Sequence, residues 1–117
     1  MTNLFQRIDT VFVPTKDIEK AAHWYVDVLG GVLGWKSEQG EYQCVKFGDT
    51  SITLFLTEDP LYFQPRRCAF NFYVSRASEA YDYLKSRDVQ VEEIKEYGAT
   101  YFAFYDVDGN CLEVCEY

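Results

Sequence analysis

Two different spacings of apolar residues alternate along this chain, and the switches between them mark its elements. Ile8 to Val13 is rich in β-branched and aromatic residues and reads as a strand, with Pro14 expected to end its pairing. Asp17 then stands at an N-cap position, and Ile18, Ala21, Ala22, Tyr25 and Leu29 form one stripe at helical spacing. Gly30 and Gly31 stop that helix, and Gly34 breaks the chain again. Gly40 to Phe47 and Ser51 to Leu56 read as strands joined by a Gly48-Asp49-Thr50 turn. Glu58 to Arg67 carries Pro60 and Pro65 and reads as a linker.

After the linker the pattern restarts. Ala69 to Val74 is a strand, and Ala77, Ala80, Tyr81 and Leu84 make a second helical stripe. Val89 to Ile94 fits a short strand. Thr100 to Tyr105 is a strand, Asp106 to Asn110 a turn, and Cys111 to Glu116 a final strand. Ile18, Ala21, Ala22 and Tyr25 superimpose on Ala77, Ala80, Tyr81 and Leu84 with one constant offset, and the flanking strands follow in the same order. The chain is therefore an internal repeat of strand, helix and two or three strands. Helices cover one face of each sheet, and the other face must find a partner. Two such sheets curving toward each other would leave a cleft.

Composition narrows the class. The 117 residues suit one domain, and 48% hydrophobic with 26% charged residues is globular. Ten Tyr, nine Phe and two Trp suit strands, a stacked ligand or a subunit interface. A net charge of −8 argues against nucleic acid and against anionic membranes, and suits a cationic small molecule; it also simply aids solubility. No apolar run approaches the ~20 residues of a membrane helix. Met1 to Arg7 lacks the features of a signal peptide, so the expected location is cytoplasmic. In that compartment Cys44, Cys68, Cys111 and Cys115 are expected as reduced thiols. Cys111 and Cys115 on one strand would lie roughly 13 Å apart, too far to share a zinc ion.

Two stretches carry a resemblance. Ile8-Asp9-Thr10-Val11-Phe12-Val13-Pro14-Thr15-Lys16-Asp17-Ile18-Glu19, with Trp24-Tyr25 and Leu29-Gly30 after it, resembles the opening of a vicinal-oxygen-chelate module. Asp106-Val107-Asp108-Gly109-Asn110-Cys111-Leu112-Glu113 resembles its closing signature. This is the superfamily of glyoxalases, bleomycin-resistance proteins and extradiol dioxygenases. The resemblance implies an α+β fold of two βαβββ modules forming a cupped, partly open mixed β-barrel with helices outside. It also implies a homodimer. One domain, 1–117, is expected, with module one at 4–58, a linker at 59–67 and module two at 68–117. Metal-dependent members hold a divalent ion with His, Glu or Gln at four inward positions, which here correspond to Thr10, Thr53, Ala69 and Glu113. Only Glu113 has a usual metal-ligand side chain, so neither a metal nor another cofactor is expected. His23 does not replace the missing donors, because at about 100° per residue it falls off the apolar stripe of its helix. Without it, a His-based hydrolytic triad and the commonest general base are also absent.

Strand alternation then assigns a ligand-facing set: Thr10, Phe12, Thr53, Phe55, Asn71, Tyr73, Cys111 and Glu113. The helix-facing sets are wholly apolar: Val11, Val13, Ile52, Leu54, Leu56, Phe70, Phe72, Val74, Leu112 and Val114. Aromatic walls with a few polar groups suit a small-molecule pocket, although a filled barrel interior fits the same pattern. Glu113 can act as a general base, anchor a ligand amine, or hydrogen-bond structurally to Thr10, Thr53 or a tyrosine. No phosphate-loop or dinucleotide glycine motif is present. Arg66-Arg67 reads as solvated surface, and Trp24 and Trp35 as core or interface.

The leading expectation is a small-molecule-binding protein of the bleomycin-resistance type, with an aromatic or cationic ligand and no metal. Alternatives are a divalent-metal-dependent lyase, isomerase or dioxygenase, and a dimeric interaction module. A ferredoxin-like or dimeric α/β-barrel domain is the competing fold; the closing Asp-Gly-Asn-Cys-Leu-Glu motif argues against it.

Overall fold

A computed structural model describes residues 3–68 and 70–117. The chain divides into two compact units, Met1–Leu56 and Thr57–Tyr117. Each is a βαβββ unit. The first contains β1 (Thr10–Thr15), α1 (Ile18–Asp27), β2 (Val32–Lys36), β3 (Tyr42–Phe47) and β4 (Thr50–Leu56). The second opens with a 3-10 turn at Pro60–Phe63 and contains β5 (Asn71–Tyr73), α2 (Ala77–Ser86), β6 (Lys95–Glu96), β7 (Thr100–Tyr105) and β8 (Cys111–Glu116). The sheet orders are β1-β4-β3-β2 and β5-β8-β7-β6, so the two halves share one topology. The fold is the α+β arrangement of two βαβββ modules that the repeat predicts. Among the described residues no helix is long and apolar enough to cross a membrane.

In each unit the first strand lies parallel to the last, with Phe12 beside Thr53 and Asn71 beside Glu113. Parallel neighbours need a long crossover connection, and the helix supplies it. The helix then lies on one face of the sheet. In the first unit Ile18, Ala21, Ala22 and Tyr25 of α1 are buried together with Val13, Val45, Ile52 and Leu54. In the second, Ala77 and Leu84 of α2 are buried together with Phe102, Phe104, Leu112 and Val114. Each such Val, Leu, Ile or Phe side chain contributes about 1.5–3 kcal/mol by leaving water.

The helices are entered differently. Asp17 caps α1 locally, its Oδ1 accepting from Lys20 N at 3.1 Å, and Asp17 N donates to Thr15 Oγ1 at 3.1 Å. At α2 the N-cap residue is Arg76, whose side chain makes no capping bond. Glu116, at the far end of β8, instead accepts from Ala77 N at 2.6 Å. A carboxylate at a helix N-terminus also complements the helix dipole.

Several boundaries differ from the sequence expectation. β1 begins at Thr10 rather than Ile8, which is 69% exposed. Pro14 does not end the pairing: it lies opposite Phe55, and Thr15 opposite Leu56. β1 is the edge of its sheet, where a proline is tolerated because the outward N–H is not needed by the ladder. Gly34 does not break the chain but sits inside β2, where the register with β3 shifts between Leu33 and Lys36. A Cβ at Gly34 would lie 3.2 Å from Lys46 Cε and 3.3 Å from Cys44 Sγ, so glycine permits this close, bulged approach. The expected strand Val89–Ile94 is reduced to a single bridge between Val91 and Phe104, and the ladder resumes at β6. Leu29 lies beyond the end of α1, and Val28 takes the buried place instead. Ala69, expected as the first residue of a strand, lies outside the described residues.

The turn between β7 and β8 is built around one carboxylate. Asp106 Oδ1 accepts from Asp108 N and Asn110 N, each at 2.9 Å, and Oδ2 accepts from Asn110 Nδ2 at 2.9 Å. Gly109 takes φ +85°, a conformation that side chains disfavour. Asp106 is buried, so its oxygens have few other partners in reach. Replacing Asp106 with Ala is expected to lower unfolding stability by on the order of 2–3 kcal/mol, since several buried or turn donors lose a charged acceptor at once. Urea denaturation measures this, and an effect below about 0.5 kcal/mol would refute the role given to the carboxylate.

Gly31 provides a second check. A Cβ there would lie 2.7 Å from Phe47 Cζ and closer still to Val45 Cγ1, and Val45 is fully buried. Gly31→Ala is expected to destabilise by about 1–3 kcal/mol through overpacking, read as a lower thermal midpoint.

Candidate functional site

Alternation along the strands presents a second face in each unit, opposite the helix. In the first unit that face carries Thr10 and Phe12 from β1 and Thr53 and Phe55 from β4. Thr10 Oγ1 donates to Ser51 O at 3.1 Å and lies 2.7 Å from Thr53 Oγ1. The single proton of Thr10 is committed to that carbonyl, so Thr53 donates to Thr10. The Phe12 and Phe55 rings meet edge to face, with centroids 6.5 Å apart. Phe12 is 63% exposed, far more than a core phenylalanine.

In the second unit the matching face carries Asn71 and Tyr73 from β5 and Cys111, Glu113 and Cys115 from β8. Asn71 and Glu113 are register partners, and Asn71 Nδ2 donates to Glu113 Oε1 at 3.3 Å. Among the described residues no other hydrogen bond reaches the Glu113 side chain, whose nearest cross-strand neighbour on β7 is Ala103. A small residue there leaves space beside the carboxylate. Tyr73, 59% exposed, packs its ring against Tyr117 at 5.0 Å.

Sequence reasoning left several members of these faces unassigned. On β3, Tyr42 pairs with Phe55, Cys44 with Thr53 and Lys46 with Ser51, while Gln43 and Val45 turn to the buried side. On β7, Tyr101 lies opposite Cys115 and Tyr105 opposite Cys111, while Phe102 and Phe104 are buried. The same alternation, extended to the third strand of each unit, would have found all five.

One expectation is overturned. Cys111 is not a free thiol: it forms a disulfide with Cys68, with the two Cα atoms 4.8 Å apart. The two cysteines are far apart in sequence, and only the parallel pairing that starts β5 beside β8 brings them together. Cys44 and Cys115 are free and half-buried.

The donor chemistry does not fit a divalent metal. The first unit offers the Thr10 and Thr53 hydroxyls, bonded to each other, and the second a single carboxylate held by an amide. Neutral hydroxyls are poor replacements for imidazole or carboxylate. His23 is exposed on α1. Among the described residues no group of three or more His, Cys, Asp or Glu side chains is placed to hold an ion. Ala69, which corresponds to the fourth position, has no donor atom in its side chain and lies outside the described residues.

Known structures share this architecture. A lactoylglutathione lyase from Agrobacterium tumefaciens is 21% identical, with 97% of this chain and 96% of that one covered at a TM-score of 0.77. TnmS3, an antibiotic-binding protein from Streptomyces sp. CB03234, is 24% identical, with 98% of each chain covered at a TM-score of 0.81. A superfamily member from Sphaerobacter thermophilus is 20% identical, with 98% of this chain and 100% of that one covered at a TM-score of 0.81. At these identities the likeness is one of fold. No curated protein matches the chain. The model of one sequence family, however, matches residues 7–114, nearly the whole repeat, and the chain therefore belongs to the glyoxalase/bleomycin resistance protein/dioxygenase superfamily.

Proposed function

We propose that this protein binds a small organic molecule that is aromatic, cationic or both, and sequesters it without a metal centre. The observation that carries the reading is Glu113: one carboxylate, half-satisfied by Asn71, on a sheet face that also presents Tyr73, Tyr101 and Tyr105. A carboxylate in aromatic surroundings favours a cationic partner, and tyrosine faces attract the same charge. The net charge of −8 draws cations toward the protein as a whole. In the first unit the Phe12–Phe55 pair supplies apolar surface for a ring system. The Streptomyces neighbour described as antibiotic-binding is a precedent on this fold. The same reading takes the protein to be a cytoplasmic homodimer, the assembly implied by the superfamily resemblance. A metal-dependent lyase, isomerase or dioxygenase is the competing reading, and the donor chemistry of Thr10, Thr53 and Glu113 speaks against it.

Basic aromatic compounds titrated against the fluorescence of Trp24 and Trp35 are expected to give saturable curves. Glu113→Gln is expected to weaken that binding by about tenfold or more, roughly 1.4 kcal/mol, while leaving the fold intact. Flat curves across a broad panel would sink the proposal.

The metal-free part has its own check. Elemental analysis of the purified protein is expected to show no stoichiometric divalent ion, and a bound ion that EDTA removes would reverse the ranking of the two readings.

A further inference from the structure

We infer that Cys68 and Cys111 are a redox-switchable latch that fixes the start of β5, and with it the Asn71–Glu113 pair. The internal repeat shows what the disulfide replaces. In the alignment that puts Phe12 on Asn71 and Thr53 on Glu113, Asp9 corresponds to Cys68 and Ser51 to Cys111. In the first unit this place is joined by hydrogen bonds: Ser51 N donates to Asp9 O at 3.1 Å, and Ser51 Oγ donates to the same oxygen at 3.1 Å. In the second unit it is joined by the Cys68–Cys111 bond.

The two first strands also differ in grip. β1 runs beside β4 over the six positions Thr10 to Thr15, whereas among the described residues β5 is registered with β8 from Asn71 to Tyr73. Asn71, the donor to Glu113, is the first residue of that short ladder and lies just after Cys68 in sequence. When the covalent link opens, the contacts among the described residues that hold β5 include the Asn71–Tyr73 ladder, the bond from Val74 N to Cys115 O at 3.0 Å, and the packing of Phe72 on Phe70 and Phe104. Short ladders at strand ends are the first to open.

The chemistry suits exchange. Both cysteines are half-buried rather than sealed in the core, so a small thiol or disulfide can reach them. Arg66 and Arg67 directly precede Cys68 in sequence and are exposed, so the approach to this end of the segment is open to solvent. The oxidant is a low-molecular-weight disulfide of the glutathione class. One cysteine thiolate attacks it, forming a mixed disulfide and releasing one thiol. The second cysteine attacks the mixed disulfide, closing Cys68–Cys111 and releasing the second thiol. Two protons leave the cysteines, and the small disulfide is reduced to two thiols. In a reducing cytoplasm such a bond is transient and serves sensing rather than permanent stapling.

The latch is independent of the proposed ligand, but its effect on binding rests on that reading. Two measurements on the unaltered protein test it. The protein is equilibrated in glutathione buffers of rising oxidised fraction, then alkylated and mapped by mass spectrometry. Cys68 and Cys111 are expected to lose reactivity together, while Cys44 and Cys115 stay alkylatable. Amide exchange is then compared in the two states. The segment 70–73 is expected to exchange at least about tenfold faster when reduced, with Thr10–Thr15 unchanged. Cys68→Ser and Cys111→Ser should each abolish the response. Alkylation of both cysteines at every ratio, or equal exchange in the two states, would overturn the latch. A ligand panel that is flat in both states would refute the proposed function and leave the latch standing. A ligand that binds equally well in both states would refute its control of the site.

Discussion

The parallel pairing of the first strand of each unit with its last governs the rest of this structure. A parallel neighbour cannot be reached by a tight hairpin, so the chain must cross over the sheet, and α1 and α2 make that crossing. Once the helix lies on one face, strand periodicity leaves no freedom. Val13, Ile52 and Leu54, or Phe72, Leu112 and Val114, turn toward the helix. Thr10, Phe12, Thr53 and Phe55, or Asn71, Tyr73, Cys111 and Glu113, turn away from it. A slip of one residue in either parallel register would expose the core, and in the second unit it would also bury Glu113, which is why the register is so strongly specified.

Because the scaffold is used twice, each half serves as a control for the other. Where one half uses a local device, the other often uses a distant one. Asp17 caps α1 from the adjacent residue in the chain, whereas α2 is capped by Glu116 from β8. The closing turn of the first unit is the short Gly48-Asp49 connection, with Gly48 at φ +63°. In the second it is a longer loop organised by Asp106. Thr10 and Thr53 satisfy each other in the first half, whereas Asn71 and Glu113 occupy neighbouring register positions in the second. The second half thus draws its helix cap from far along the chain, Glu116 to Ala77, while both halves join their first and last strands by contacts of similar span, with the Cys68–Cys111 bond in the second where the first has hydrogen bonds. The second half carries a carboxylate, Glu113, on the face turned away from its helix, beside the first residue of the short β5 ladder.

Much of this was legible in the sequence because it follows from periodicity and turn chemistry. The two helical stripes, the strands Thr100–Tyr105 and Cys111–Glu116, and the Asp106–Asn110 turn stand where the pattern puts them. The exposure of His23 follows from its angle on the helix. The parts that were not legible depend on neighbours remote in sequence. Gly34 reads locally as a break, and only the adjacent Lys46 and Cys44 side chains show why a strand needs glycine there. Pro14 reads as a stop until β1 is known to be an edge. The Cys68–Cys111 bond could not be inferred from compartment arguments, because those concern the average fate of a thiol and not two strands that bring a particular pair together. The tyrosines of β7 obey the same alternation, one strand beyond the parallel pair.

The positions that the superfamily resemblance equates with metal ligands carry donors that do not suit a divalent ion. Glu113 stands at one of the positions that hold metal ligands in metal-dependent members. Thr10 and Thr53 stand at others, bonded to each other instead of facing an ion. A carboxylate that shares its face with aromatic rings suits a partner that carries positive charge. Asn71 supplies a neutral donor to one oxygen, which leaves the charge itself uncompensated. That charge, with the small side chain of Ala103 opposite it and Tyr101 and Tyr105 on the same strand face, is the feature on which the proposed preference for an organic cation rests.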